Sequence, residues 1–131
     1  MSDYRKLEVW RKAYALALNA HRVATDIRGA HYASLRSQII RCAMSIPANI
    51  VEGREQRSEA GFARYLRVAL GSSSELEHHL GMANAISVVS LEDHTALCAE
   101  VIEVRRMLHG LLRRIEPESA RRESRDDKSA S

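Results

Sequence analysis

Residues that cross-link a chain or stiffen it are scarce in this sequence. In 131 residues there are two Cys, two Pro, one Phe and one Trp. So few aromatics and prolines argue against an all-β design and leave helix as the expectation. Cys42 and Cys98 lie far apart, each inside an apolar helical pattern. They supply neither a disulfide framework nor a metal-ligand spacing, and each reads as a buried, inert thiol. No run of about 18 uncharged apolar residues is present, which excludes a membrane-spanning helix. The opening residues include Asp3, Arg5, Lys6 and Glu8, unlike the apolar core of a secretory signal. A cytoplasmic location without a membrane partner is the expectation. G-x-S-x-G, a Gly-rich phosphate loop and a cysteine next to a recognisable base are also missing, so no enzyme is expected.

What the chain does have is an apolar fraction of 45% and a charged fraction of 28%. These are the proportions of a soluble globular protein, and the length suits one domain with its own core. Net charge is +3 but unevenly spread. Residues 1–67 hold twelve Lys/Arg against six Asp/Glu, while residues 68–116 hold four against seven. Such asymmetry fits a basic face for nucleic acid, or a basic face docking on an acidic one.

Apolar residues recur at helical spacing in four segments. From Leu7 to Ile27, the stripe Val9, Ala13, Leu16, Ala20, Val23, Ile27 is flanked by a second: Leu7, Trp10, Tyr14, Ala17, His21, Ala24. The double stripe leaves a narrow polar arc, so Trp10 and Tyr14 either face a second subunit or finish a large core. Gly29 offers a stop. A second helix is predicted from Ser34 to Glu52, with Leu35, Ile39, Cys42, Ile46 and Ile50 on one face. That register continues through Pro47, which favours one kinked helix over two separated by a loop, the proline a tolerated kink on the core side. The proline removes the amide that would bond the Ala43 carbonyl, and Ser45 or Asn49 could replace it.

Opposite Pro47, Ser34, Gln38, Arg41, Ser45, Asn49 and Glu52 form one polar line, since 100° per residue places them within about 100° of one another. A solvated face is the plain interpretation; short and amide side chains in place of Lys and Glu favour a packing, oligomer or partner surface. After the charged turn around Arg54–Ser58, a third helix from Glu59 to Ile86 carries Phe62, Leu66, Ala69, Ser73, Leu76, Leu80 and Ala83 in unbroken heptad-like steps. Its Gly71-Ser72-Ser73-Ser74 run reads as a close helix crossing or a ligand contact. Ser90 with Asp93 resembles a capping box. Leu97, Val101, Val104, Leu108, Leu111 and Ile115 then mark a fourth helix that Pro117 stops.

The fold class read from this pattern is all-α, an up-down-up-down four-helix bundle over residues 1–116. The tail 117–131 has too few apolar residues to offset its ordering entropy and is expected to be disordered. Glu75 and His78 form a Glu-x-x-His pair, but a di-iron bundle needs a second pair and two more core carboxylates. The other histidines, His79 among them, are scattered singly, so neither metal nor cofactor is expected. Arg36, Arg41, Arg54, Arg57, Arg64 and Arg67 crowd one helix-turn-helix region without a lysine. Arginine's planar fork suits phosphate; nucleic-acid contacts by Arg41, Arg54, Arg57, Arg64 and Arg67, or an ordinary surface partly neutralised by Glu52, Glu55 and Glu59, both fit.

The stretch from Arg41 to Gly53, RCAMSIPANIVEG, resembles the signature of the four-helix proteins encoded in intervening sequences of bacterial 23S ribosomal RNA genes. That family includes the accessory protein of diversity-generating retroelements. Leu7–Ala13, Gln38–Gly53, Phe62–Leu66 and Ala69–Glu77 match its blocks in order and spacing. The residues Arg28–Tyr32 depart from it, where the family has a proline and an acidic residue. The resemblance implies a bundle that assembles into a homopentameric barrel. In the retroelement branch it further implies a basic surface that engages RNA or DNA together with a reverse transcriptase. An oligomeric protein-interaction scaffold, with Gln38, Arg41, Ser45, Asn49, Glu52, Trp10 and Tyr14 on its contact surface, is the alternative.

Overall fold

Each predicted apolar stripe folds as a helix: α1 is Glu8–Thr25, α2 Ala33–Arg54, α3 Glu59–Ala85 and α4 Leu91–Ile115. The computed structural model describes residues 4–116; the tail at 117–131 lies outside the described residues. Among the described residues there is no strand, and no helix is long and apolar enough to cross a membrane. Short 3₁₀ turns at Tyr4–Lys6 and Ala30–Tyr32 lead into α1 and α2.

The helices pack as a ring in which α1 touches α2, α2 touches α3, α3 touches α4 and α4 touches α1. Partners across the seams show that neighbours run antiparallel. Cys42 and Ser45 of α2 meet Glu75 and Ser72 of α3, Arg67 and Glu77 of α3 meet Glu116 and Arg105, and Lys12 and Asn19 of α1 meet Glu103 and Glu100. In every pair one number falls as the other rises, so the chain runs up, down, up and down.

The core is built mainly from the predicted faces, with Ala43, Ala63, Val89 and Leu112 added and Leu35 and Ile115 only partly buried. Leu16, Ile39, Ile46, Ile50, Leu66, Leu76, Leu80, Val101 and Leu108 are fully buried. Burying such side chains contributes roughly 1.5 to 3 kcal/mol each and is the main term holding the bundle together. On α1 the first stripe is buried, but the second divides: Ala17 and Ala24 join the core, whereas Tyr14 and His21 are exposed. Trp10 is half-buried between Tyr4 and Tyr14, with ring centroids 5.1 Å away on each side.

Helix α2 passes through Pro47 without interruption, and the proline is buried on the core side. Neither Ser45 nor Asn49 serves the Ala43 carbonyl as expected: the Asn49 side-chain amide donates to the Ser45 carbonyl at 2.8 Å and to the Ser45 hydroxyl at 2.9 Å, and the Ser45 hydroxyl meets that of Ser72. Gly29 is not the stop expected of it: α1 ends at Thr25 with Asp26 as its C-cap, and Gly29, four residues past that end, takes φ of +106°. There it bends the α1–α2 connection, and Arg36 fixes that bend by donating to the carbonyls of Ile27 and Gly29 at 2.8 and 2.9 Å. Ser58 and Ser90 cap α3 and α4 as predicted, accepting from the amides of Gly61 and Asp93. Helix α3 ends with Ser87 at φ +66°, while the amides of Val88 and Ser87 reach the carbonyls of Ala83 and Asn84. This is the Schellman arrangement, with serine in the position glycine usually takes.

Two glycines give opposite expectations. A Cβ on Gly53 would lie 2.8 Å from Phe62 Cδ1 and 3.1 Å from Tyr65 Cβ, whereas one on Gly71 would meet nothing within 4 Å. Gly53→Ala is therefore predicted to lose about 1 kcal/mol, overpacking outweighing the helix propensity of alanine. Gly71→Ala is predicted to gain up to about 1 kcal/mol, from propensity alone. Urea unfolding of both variants checks this; equal signs for the two would contradict the packing described.

Candidate functional site

Antiparallel alternation sorts charges by end. One end of the bundle holds the start of α1, the close of α2, the 55–58 turn, the start of α3 and the close of α4. It therefore collects Arg54, Arg57, Arg64 and Arg67 together with Arg113 and Arg114 of the last turn of α4. The opposite end carries Asp26, Glu92 and Asp93 balanced by Arg22, Arg28 and Arg36, the last engaged with the α1–α2 connection. Part of this layout serves the helices themselves, because cations in a last turn and anions such as Glu8 and Glu59 in a first turn complement the helix dipoles.

The five predicted arginines do not share one surface role. Arg57 is exposed and, with Arg54, Gln56, Ser58, Glu59 and Phe62, lines a cleft of about 220 Å³ at the α2–α3 turn. Arg54 is half-buried, its guanidinium 5.6 Å from the centre of the Phe62 ring. Its Nε is buried without a hydrogen-bond partner among the described residues. Arg64 is exposed, 5.4 Å from the centre of the Tyr65 ring. Arg67 is ion-paired with Glu116, which ties the start of α3 to the end of α4. Arg41 stands apart, thirteen residues up α2 from Arg54, about 20 Å at 1.5 Å per residue.

Arg41 belongs to a second locality, on the predicted polar line of α2. Gln38, Arg41, Cys42 and Ser45 of α2, with Ser72 and Glu75 of α3, line a cleft of about 250 Å³. Ser45 and Asn49 are half-buried, and the Ser45 and Ser72 hydroxyls lie 2.8 Å apart. Ser45 is thus the member of the polar line that packs α2 on α3, with Asn49 folded onto it. Ser73 supports the same crossing from the core side, buried and donating to the Leu70 carbonyl at 2.6 Å. Gly71 and Ser74 of the small-residue run face outward. Glu52, the last residue of the line, is exposed.

Titratable side chains also meet at the cleft. The Cys42 thiol donates to Glu75 at 3.6 Å, and one donor atom from each of Cys42, Glu75 and His79 lies within 4.8 Å of the others. Sequence spacing pointed instead to His78, which is exposed with its ring 5.3 Å from that of His79. His79, four residues from Glu75 on a helix and so above it on one face, is the histidine that joins the carboxylate. The missing signal was Cys42, which only the α2–α3 packing brings in. Burial, then the hydrogen bond and charge of Glu75, push the Cys42 thiol up to about 11 against the opposing pull of Arg41. Burial and the charge of Glu77 likewise push the half-buried Cys98 up, opposed by Arg105.

Comparisons with known proteins support one grouping. The family model of the 23S rRNA-intervening sequence protein matches residues 5–110. A crystal structure of a protein of unknown function from the S23 ribosomal protein family of Bacteroides thetaiotaomicron superimposes with a TM-score of 0.75. The match covers 80% of this chain and 95% of that one at 23% identity, a likeness of fold. No curated protein matches the sequence.

The thiol environment gives a test of the α2–α3 packing. Cys42 in the folded protein is expected to react with iodoacetamide at neutral pH about 100-fold more slowly than in the urea-unfolded chain, from thiolate fraction alone. The rate should climb as pH rises toward 11, and mass spectrometry of the labelled peptides reads it. Equal folded and unfolded rates would contradict the burial of Cys42 against Glu75.

Proposed function

Since the chain belongs to the 23S rRNA-intervening sequence protein family, we propose that it is a non-enzymatic, oligomeric accessory protein that binds RNA or DNA through the arginine-rich end of its bundle. The observation that carries this reading is the gathering there of arginines from α2, the 55–58 turn, α3 and α4, with Arg57 and Arg64 exposed. Guanidinium groups at such a surface bind phosphate by charge and paired N–H donors, releasing counterions as they do so. Arg54 and Arg67 contribute charge to the same end while also holding structure, through Phe62 and Glu116 respectively. Arg41, on the α2–α3 cleft, takes no part in this surface. Ribosomal RNA, or a reverse transcriptase with its nucleic acid, is the partner this reading proposes. Both thiols are biased toward their protonated form, which suits a binding protein better than a cysteine nucleophile.

This reading predicts RNA binding that weakens steeply with salt. Replacing Arg57 and Arg64 together with alanine should lower affinity at low salt. It should also flatten the plot of log K against log salt by about 0.7 to 0.9 for each phosphate that is no longer neutralised. Arg28→Ala, near the opposite end, should leave both unchanged. Fluorescence anisotropy with a labelled RNA measures this, and an unaltered slope in the double variant would overturn the proposal.

A specific observation also favours self-association. Tyr14 and Leu18, 49% and 51% exposed, stand one turn apart on the outer side of α1 beside the partly covered Trp10. An apolar strip of this kind suits a second copy of the chain, which fits the homopentameric barrel that the family resemblance implies. Tyr14→Glu with Leu18→Glu should reduce the mass measured by light scattering and leave helicity intact. A wild-type monomer at micromolar concentration would exclude the assembly.

A further inference from the structure

The cleft between α2 and α3 holds a set of donors that the nucleic-acid reading does not use. Cys42 is buried at 6% exposure, Glu75 is exposed and His79 is half-buried. A sulfur, a carboxylate oxygen and an imidazole nitrogen thus converge from two helices across a path running from core to solvent. We propose that Cys42, Glu75 and His79 form a three-donor site for a divalent cation of the zinc class, with a fourth position open to solvent on the cleft side.

One ligand pair of the site already stands at the required separation. Zinc bonds to sulfur at about 2.3 Å and to carboxylate oxygen at about 2.0 Å, so adjacent S and O ligands of a tetrahedral ion stand about 3.5 Å apart. The Cys42 sulfur and Glu75 oxygen are 3.6 Å apart. All three donor atoms lie within 4.8 Å of one another, so small rotations of the exposed Glu75 and the half-buried His79 complete the arrangement.

Donor chemistry selects the metal. Magnesium and calcium take oxygen ligands and do not favour a thiolate, whereas one sulfur, one imidazole and one carboxylate suit zinc. Charge is also balanced: thiolate and carboxylate neutralise a dication, so Arg41, which lines the same cleft, faces a neutral centre. On binding, the thiol proton passes to solvent as the sulfur takes the cation. The ion would then cross-link α2 and α3 beside the Ser45–Ser72 contact.

The test uses the full chain, free of any affinity tag and stripped of metal, titrated with cobalt(II) and then with zinc. The expected result is saturation at a single equivalent per chain. A thiolate-to-cobalt charge-transfer band should appear in the near ultraviolet and be displaced by zinc. Cys42→Ser should abolish the band, while Cys98→Ser keeps it. Glu75→Gln and His79→Ala should weaken binding by more than about tenfold, the minimum for groups that matter even outside the first coordination shell. His78→Ala, the neighbouring histidine, should leave affinity unchanged. Far-ultraviolet circular dichroism checks folding, and the Glu75 and His79 variants carry the test if Cys42→Ser fails to fold. Absence of the band, its survival in Cys42→Ser, or equal losses in His78→Ala and His79→Ala would overturn the proposal.

Discussion

The antiparallel packing of α2 on α3 is the constraint on which the rest of the molecule depends. These helices are joined by only four residues, 55–58, so they must double back on each other. Their seam tolerates polar atoms because those atoms are satisfied within it: Ser45 faces Ser72, Asn49 folds onto Ser45, and Ser73 bonds back to the Leu70 carbonyl. Small side chains at the crossing let the backbones approach, and the hydrogen bonds remove the cost of burying hydroxyls. Gly53 repeats the principle at the end of the seam, where Phe62 and Tyr65 fill the space a side chain would need. Fixing this pair fixes the direction of α1 and α4, which complete the ring.

Two chemically distinct places follow from that one arrangement. At the turn end, arginines converge because helix ends that are remote in sequence become neighbours. Partway along the seam, Cys42 of α2 meets Glu75 and His79 of α3 because antiparallel strides bring those heights together. The first place is exposed, charged and suited to a polyanion. The second is a cleft with a buried thiol at its base, for which a small cation is proposed. The proposed nucleic-acid binding at the end does not require the cleft, and the proposed cation binding in the cleft does not require the arginines of that end.

Much of the fold was legible because heptad-like steps of apolar residues need no tertiary information. The Phe62 to Ala83 stripe is buried throughout, and the caps at Ser58 and Ser90 follow from local chemistry. The continuity of α2 through Pro47 was equally readable, since the register did not reset. What could not be read was how polar residues are shared between helices. Nothing in the local pattern tells Ser45, which meets Ser72, from Glu52, which faces solvent. Likewise Glu75 and His78 have a familiar spacing, yet His79 is the residue on the right side of the helix once Cys42 is in place. Sorting the arginines by bundle end, instead of by sequence neighbourhood, would have separated Arg41 from Arg57 and Arg64 and brought in Arg113 and Arg114.

The central claim is that the connectivity makes one end of this bundle a nucleic-acid face. Hydrogen–deuterium exchange of the intact protein with and without a structured RNA tests it most directly. The account predicts slowed exchange confined to the 54–67 segment and the last turns of α4, with the 86–93 connection unaffected. Protection centred on 86–93, or none anywhere at an RNA concentration that saturates binding, would contradict it.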